Sequence, residues 1–195
     1  MGEIRVRTPV AADGPQIGRL IVRAWKKCYA GLMPSAFLAR LDEVERGEAW
    51  QQRLVARARG NAADGDAELL VAERRRLDIE AGAGAASDAG TEVLGVATIG
   101  ADRDDPTRSR GELWMINVVP EAWGTGVGPA LLKAAVERLA ARGFDTAVLW
   151  VVAGNTRARR FYEREGWVPD GDCKEQEFGG QSVKECRYRR DLLSW

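Results

Sequence analysis

The chain has 195 residues, 45% of them hydrophobic, with 29 lysines and arginines against 29 aspartates and glutamates and no histidine. That length makes one ordinary domain, able to bury roughly 70% of its unfolded surface without staples. The balanced charge gives no reason to expect nucleic acid or an anionic membrane as partner, and the missing imidazole excludes a histidine-dependent triad and any histidine-ligated metal.

In chain order, residues 4–7 alternate and read as a short strand. Residues 9–14 form a loop, with Asp13 placed to cap a helix and Pro15 in its first turn. Ile17, Leu20, Ile21, Ala24, Trp25 and Cys28 then recur at helical spacing, and residues 29–34, Tyr-Ala-Gly-Leu-Met-Pro, break the helix. Ser35 is placed to cap a second helix bearing Phe37, Leu38 and Leu41, and a third runs from about residue 44 to 59 with Trp50, Leu54 and Val55 inward. Residues 69–74 and 93–99 read as two strands, antiparallel across residues 78–91. That connection is rich in Ala, Gly, Ser and Asp, has no apolar period, and is expected to be a long loop within a single domain spanning residues 1–195. Residues 102–110 make a second polar loop. No apolar run is long enough to span a bilayer and no signal-peptide core opens the chain, so a cytoplasmic location is expected.

The centre of the sequence lies between residues 112 and 139. Residues 112–119 are mostly β-branched, aromatic or apolar and are stopped by Pro120, so they predict a strand. Val127, Leu131, Leu132, Ala135, Val136 and Leu139 predict a helix, with Pro129 in its first turn and Arg142-Gly143 at its end. Between strand and helix stand Trp123, Gly124, Thr125, Gly126, Val127 and Gly128. Glycines at a helix start leave the unpaired first-turn N–H groups and the positive end of the helix dipole uncovered, which suits a phosphate or pyrophosphate. A Walker A loop would need Lys-Ser or Lys-Thr where Pro129-Ala130 stands. A dinucleotide fingerprint would need an acid ending the next strand, whereas Asp145 precedes it.

Residues 146–152 predict the next strand, followed by Asn155, Ala158, Phe161, Tyr162, Glu163, Gly166 and Trp167 in an N-x-x-A-x-x-F-Y-E-x-x-G-W pattern. Asn155 suits a helix N-cap and Gly166 a C-cap. A short strand to about residue 169, polar turns, a Gly179-Gly180 turn and a closing strand over 182–192 complete the chain. Cys28, Cys173 and Cys186 are scattered without paired spacing and read as small packing residues.

The glycine loop after a strand ending V-x-P, together with the N-x-x-A-x-x-F-Y-E-x-x-G-W run, resembles the GCN5-related N-acetyltransferases. Gly126 and Gly128 fall on the two small positions of that family's Q/R-x-x-G-x-G/A motif, while Trp123 stands where Gln or Arg is usual. The resemblance implies an α/β fold of the α+β kind, a mixed, mostly antiparallel sheet flanked by helices. It implies acetyl-CoA as co-substrate, no metal, and direct transfer of the acetyl group to an amine on a small molecule or peptide; it also allows a homodimer. It assigns acyl-CoA binding to Val118, Val119, Trp123, Gly124, Thr125, Gly126, Val127, Gly128 and Asn155. Tyr162 takes the role of acid for the leaving thiolate and Glu112 that of base, while Trp25 and Tyr29 wall the acceptor site. A backbone N–H of the 112–119 strand, such as that of Val118, supplies the oxyanion donor. Two other readings stay open: a non-catalytic acyl-CoA sensor using the same cradle, and a nucleotide-binding enzyme using the glycine loop.

Overall fold

A computed structural model describes residues 2–61, 65–75 and 90–192 of the chain; the greater part of the expected 78–91 loop, residues 78–89, lies outside them. The strands are β1 (Ile4–Arg7), β2 (Glu68–Arg75), β3 (Thr91–Ala101), β4 (Gly111–Val118), β5 (Thr146–Val152), β6 (Val168–Phe178) and β7 (Gln181–Asp191). They form one sheet in the order β1-β2-β3-β4-β5-β7-β6. Every neighbouring pair is antiparallel except β4 and β5, which run parallel. This is the mixed, mostly antiparallel sheet flanked by helices that the family resemblance implies.

One face carries α1 (Gly14–Cys28), α2 (Ser35–Ala39) and α3 (Glu43–Ala58). The first and third cross backbone to backbone: a Cβ on Gly18 would lie 2.2 Å from the Gly47 nitrogen. Only glycine at position 18 permits that approach, and Trp25 and Trp50 come to line one cavity. The other face carries α4 (Val127–Ala141) and α5 (Thr156–Arg164). All six apolar residues expected on the inner side of α4 are buried, and Leu131 packs so closely on β3 that a Cβ on Gly95 would lie 2.6 Å from its Cδ1. No helix among the described residues is long and apolar enough to cross a membrane.

Several local expectations are corrected. Asp13 stands at the start of α1 but makes no capping bond. Its carboxylate instead accepts from the Arg7 guanidinium at 2.7 and 2.9 Å and from the Val10 N–H at 2.7 Å. Burial raises the pKa of that carboxyl, but these bonds overcome the effect and hold it below the usual carboxylate range. Ser35 opens α2 without capping it; Pro34 precedes it as the boundary residue. The short strand expected after Trp167 is the eleven-residue β6, exposed along most of its length and held by pairing to β7. That pairing also brings together two of the cysteines read as scattered: Cys173 and Cys186 are cross-strand partners with sulfurs 3.5 Å apart.

The feature that positions the site is the parallel pair. β4 and β5 pair only at Gly111–Ala147, Glu112–Val148 and Leu113–Leu149. On its other side β4 skips a residue against β3, since Thr98 faces Met115 and Ile99 faces Leu113, leaving Trp114 as a bulge. A bulge bends its strand and raises local twist. Here it bends β4 away from β5, and from Trp114 to Val118 the strand changes from buried to half-buried. The Trp114 indole is seated over Gly100, where a Cβ would lie 2.4 Å from the ring, and its Nε1 donates to the Ala101 carbonyl at 3.1 Å. Gly100→Ala is therefore expected to unseat the indole and to lower stability by about 2 kcal/mol, read by urea denaturation.

Candidate active site

Where β4 parts from β5, its open edge leads straight into the glycine loop. After Val119 the chain makes a short turn: Ala122 N–H bonds to the Val119 carbonyl, and Thr125 donates both N–H and hydroxyl to the Ala122 carbonyl. Gly124 and Gly126 have φ of 78° and 91°, a left-handed conformation that L side chains rarely adopt. Gly126 occupies the N-cap position of α4 with no side-chain cap. The N–H groups of Gly124, Gly126, Val127 and Gly128 have no acceptor among the described residues. A row of free amides at the positive end of a fifteen-residue helix is an anion site in waiting.

Trp123, the departure from the motif, has two partners. Its Nε1 donates to the Val118 carbonyl at 2.8 Å, tying the loop back to β4. Its ring carries the Arg157 guanidinium 4.0 Å above its centroid. The indole thus holds a cation from α5 beside the free amides, near where the motif's own polar side chain would stand. The arginine run at 157, 159 and 160 reads by itself as a solvated face, and the stack singles out one member. Arg159 instead donates to the Tyr188 hydroxyl at 2.9 Å and to the Ala153 carbonyl at 3.2 Å.

Asn155 caps α5, its Oδ1 accepting from Ala158 N–H at 3.1 Å, while its Nδ2 makes no hydrogen bond among the described residues. One amide therefore serves as a cap and keeps its donor free. Tyr162 is 8% exposed and packs against Phe161, Trp167 and Tyr188 at centroid distances of 5.2, 6.4 and 6.4 Å. Phe161 in turn lies against Gly128, packing the α5 face onto the first turn of α4. The neighbouring Tyr188 hydroxyl is engaged, donating to Glu163 at 2.8 Å and accepting from Arg159. The Tyr162 hydroxyl has no partner among the described residues. Burial pushes its pKa well above the ordinary phenol value, and Tyr29 and Cys28 would push it further if ionised. Those two residues stand at the end of α1, on the opposite face of the sheet.

The acceptor-side residues divide. Trp25 lines a cavity of about 330 Å³ with Val22, Trp50, Arg46, Arg53 and Met115, the last on the open part of β4. Tyr29 meets Trp25 edge-on at 5.3 Å, outside that lining. Phe37 and Phe178 complete the aromatic wall at 6.3 and 6.2 Å from Trp25, so the tip of the β6–β7 hairpin reaches the α1–α2 region. Arg46, Ala49, Trp50 and Arg53 follow a helical spacing that the sequence displays, and that spacing is the signal for the α3 side of the cavity.

Glu112, to which the resemblance gives the role of base, is a buried and bonded carboxylate. It is 1% exposed, and Arg103 takes both oxygens: Nη2 donates to Oε1 at 2.6 Å, and Nε and the backbone N–H donate to Oε2 at 3.0 Å each. It belongs to a buried clamp that closes the paired end of β4.

A model of the Acetyltransferase (GNAT) family matches residues 37–167, which include β4, the glycine loop, α4, β5 and α5. The chain belongs to the GNAT acetyltransferase family. The mycothiol acetyltransferase of Beutenbergia cavernae is 42% identical over 64 residues, 33% of this chain and 22% of that protein. The chain thus spans about a fifth of the length of the mycothiol acetyltransferases it matches. The uncharacterized N-acetyltransferase YuaI of Bacillus subtilis is 25% identical over 152 residues, 78% of this chain and 73% of YuaI. In fold, the PaiA N-acetyltransferase of Thermoplasma acidophilum, solved in complex with coenzyme A, superposes with a TM-score of 0.64 at 18% identity, covering 97% of this chain and 99% of that one. A GCN5-related N-acetyltransferase from Kribbella flavida gives 0.62 at 20% identity, covering 96% and 97%.

Within this GNAT chain the Trp123–Arg157 stack makes a separable prediction. Arg157→Ala is expected to weaken acetyl-CoA binding about tenfold, the worth of one charge-assisted contact, and to flatten the salt dependence of affinity, both read by calorimetric titration.

Proposed function

We propose that this chain transfers an acetyl group from acetyl-CoA directly to an amine acceptor. The observation that carries the reading is the continuity of one surface. An open β4 edge from Trp114 to Val118 runs into four free amides at a helix start, and the next helix, α5, carries the unpartnered Tyr162 hydroxyl.

Each part of acetyl-CoA has a complementary partner along that surface. The pyrophosphate would rest on the Gly124, Gly126, Val127 and Gly128 amides, with Arg157 adding charge. The pantetheine arm is an amide chain and would add to the exposed edge of β4 as a strand does. Val118 ends that edge, its carbonyl held by the Trp123 indole, while Val119 has its N–H bonded to Leu94 and its carbonyl to Ala122; the free Nδ2 of Asn155 lies at the start of α5, where β5 ends. The mouth between β4 and β5 then receives the thioester, and a free N–H on the β4 edge opposes the developing oxyanion.

Tyr162 suits the departing sulfur. Its proton is held firmly because ionisation in a buried site is unfavourable. The hydroxyl therefore stays protonated across neutral and mildly alkaline pH, and a thiolate leaving beside it meets a loaded donor. The acceptor approaches from the other face, along the wall of Trp25, Tyr29 and Trp50 that leads to Met115. Acetyl-CoA and the amine thus meet from opposite faces, and no enzyme-bound acyl intermediate is needed.

The mycothiol acetyltransferases match only a third of this chain, so what is carried over from them is the transfer of an acetyl group. Release of coenzyme A thiol is followed with acetyl-CoA and a panel of amino acids, small amines and N-terminal peptides. The wild type is expected to turn over at least one class. Tyr162→Phe is expected to lower kcat about 10²-fold while leaving the acetyl-CoA dissociation constant within a factor of two. Equal turnover by the variant would remove Tyr162 as the acid. Tight acetyl-CoA binding with no turnover on any amine would favour a sensor.

A further inference from the structure

With Glu112 clamped by Arg103, the site needs another group to accept the acceptor's proton. We propose that Glu185, on β7, takes the proton from the incoming ammonium group; the proposal rests on the acetyltransferase reading above.

Its position follows from the sheet. Glu185 is the cross-strand partner of Val152, the last residue of β5, and of Lys174 on β6. Side chains alternate along a strand, so Glu185 shares a face with Val183 and Arg187. Val183 packs with Met33, Leu38 and Val152 in the small cluster that Trp25 and Tyr29 join. Arg187 lies over the Trp150 ring at 5.6 Å. Glu185 therefore projects on the acceptor side of the sheet, between the aromatic wall and Trp150, one strand from the opening beside β4.

Its chemistry sets it apart from the other carboxylates around this space. Glu112 has both oxygens bound to Arg103, and Asp104 accepts from the Lys174 ammonium at 2.8 Å. Glu185 is half-buried, and its carboxylate makes no hydrogen bond or salt bridge among the described residues. Lys174, directly across from it, is committed to Asp104 and to the face of Trp150 at 4.1 Å. Lys174 on β6 and Arg103 in the β3–β4 loop favour its ionised form, while Glu112 on β4 and Asp104 oppose it. Burial is the largest influence, and the carboxyl sits above its ordinary range. Tyr29, on the acceptor wall, feels the Glu185 charge in turn. An unpaired, partly desolvated carboxylate on this side of the sheet has the properties of a base that binds a cation and then neutralises it.

The step balances as follows. The Glu185 carboxylate takes one proton from the ammonium, directly or through one water. The freed nitrogen lone pair attacks the thioester carbonyl carbon, forming the C–N bond. When the C–S bond breaks, its electron pair goes to sulfur, which takes the Tyr162 proton; the second amine proton passes to the tyrosinate. The Glu185 proton leaves to water. The products are the amide, the coenzyme A thiol and one proton.

The test uses Glu185→Gln with an alkylamine acceptor from the panel and with hydroxylamine, which is already neutral at pH 7. The variant is expected to lose about 10²-fold in kcat/KM for the alkylamine at pH 7. The loss should shrink as pH rises towards the amine's own pKa, about 10.4 for a lysine-like group. Its rate with hydroxylamine and its affinity for acetyl-CoA should stay within a factor of two of wild type. Because the folded protein raises this carboxyl's pKa, its ionised form opposes folding at neutral pH and that burden lifts as pH falls. The neutral glutamine should therefore leave the melting temperature equal or higher, so lost activity is not lost fold. Unchanged kcat/KM with the alkylamine, or an equal loss with hydroxylamine and at high pH, would overturn the role. A wild type that releases no coenzyme A with any amine would overturn the acetyltransferase reading itself, and the role with it.

Discussion

The parallel pairing of β4 with β5 ends after three residues, and the site depends on that early parting. Its cause can be followed residue by residue. Gly100 has no side chain, so the Trp114 indole lies over it. The seated indole holds an extra residue in β4 against β3, and the bulge bends the strand away from its parallel neighbour. Below the bulge β4 pairs with β5, and the buried Glu112 of that paired end is held by Arg103. Above it, β4 keeps its bonds to β3 but presents the other edge unpaired. An unpaired edge inside a sheet exposes backbone donors and acceptors that need a partner, and an amide-rich arm of the right length is such a partner.

The same opening joins the two faces of the sheet. Tyr162 comes from the α4–α5 side, and Trp25 and Tyr29 from the α1–α3 side, and β4 and β5 are unpaired beyond Leu113. A two-substrate reaction needs such a passage, with each substrate bound on one side and the reacting atoms meeting in the gap. The Trp123–Arg157 stack shows a polar motif position filled by another route. An aromatic residue binds a guanidinium from the next helix and so presents charge at the loop without carrying it.

Much of this was legible in the sequence wherever a strong period met a clear break. The strands over 4–7 and 146–152 and the inner side of α4 follow apolar patterns bounded by proline or glycine, and their bounds emerge within a residue or so. The glycine loop was legible because left-handed backbone and open amides require that residue type. What escaped was non-local. Asp13 suits a cap, but Arg7 offers a stronger partner from a neighbouring strand. The clamp on Glu112 is formed by a residue in a polar loop that carries no pattern. β6 is polar and exposed, so it has no apolar alternation to reveal its length. The Cys173–Cys186 and Lys174–Glu185 pairs were in fact accessible, since the members of each stand equally far from the Gly179-Gly180 turn; register arithmetic from that turn would have found both.

The central claim is that acetyl-CoA adds to the open edge of β4 and rests on the glycine amides. Hydrogen–deuterium exchange of the wild-type protein with and without saturating acetyl-CoA reads that most directly. The account predicts slowed exchange over residues 114–119 and 124–128, with α3 and the β6–β7 hairpin little changed. Saturated binding that leaves those two stretches exchanging at their free rates, or protects the α1–α3 cavity in their place, would contradict it.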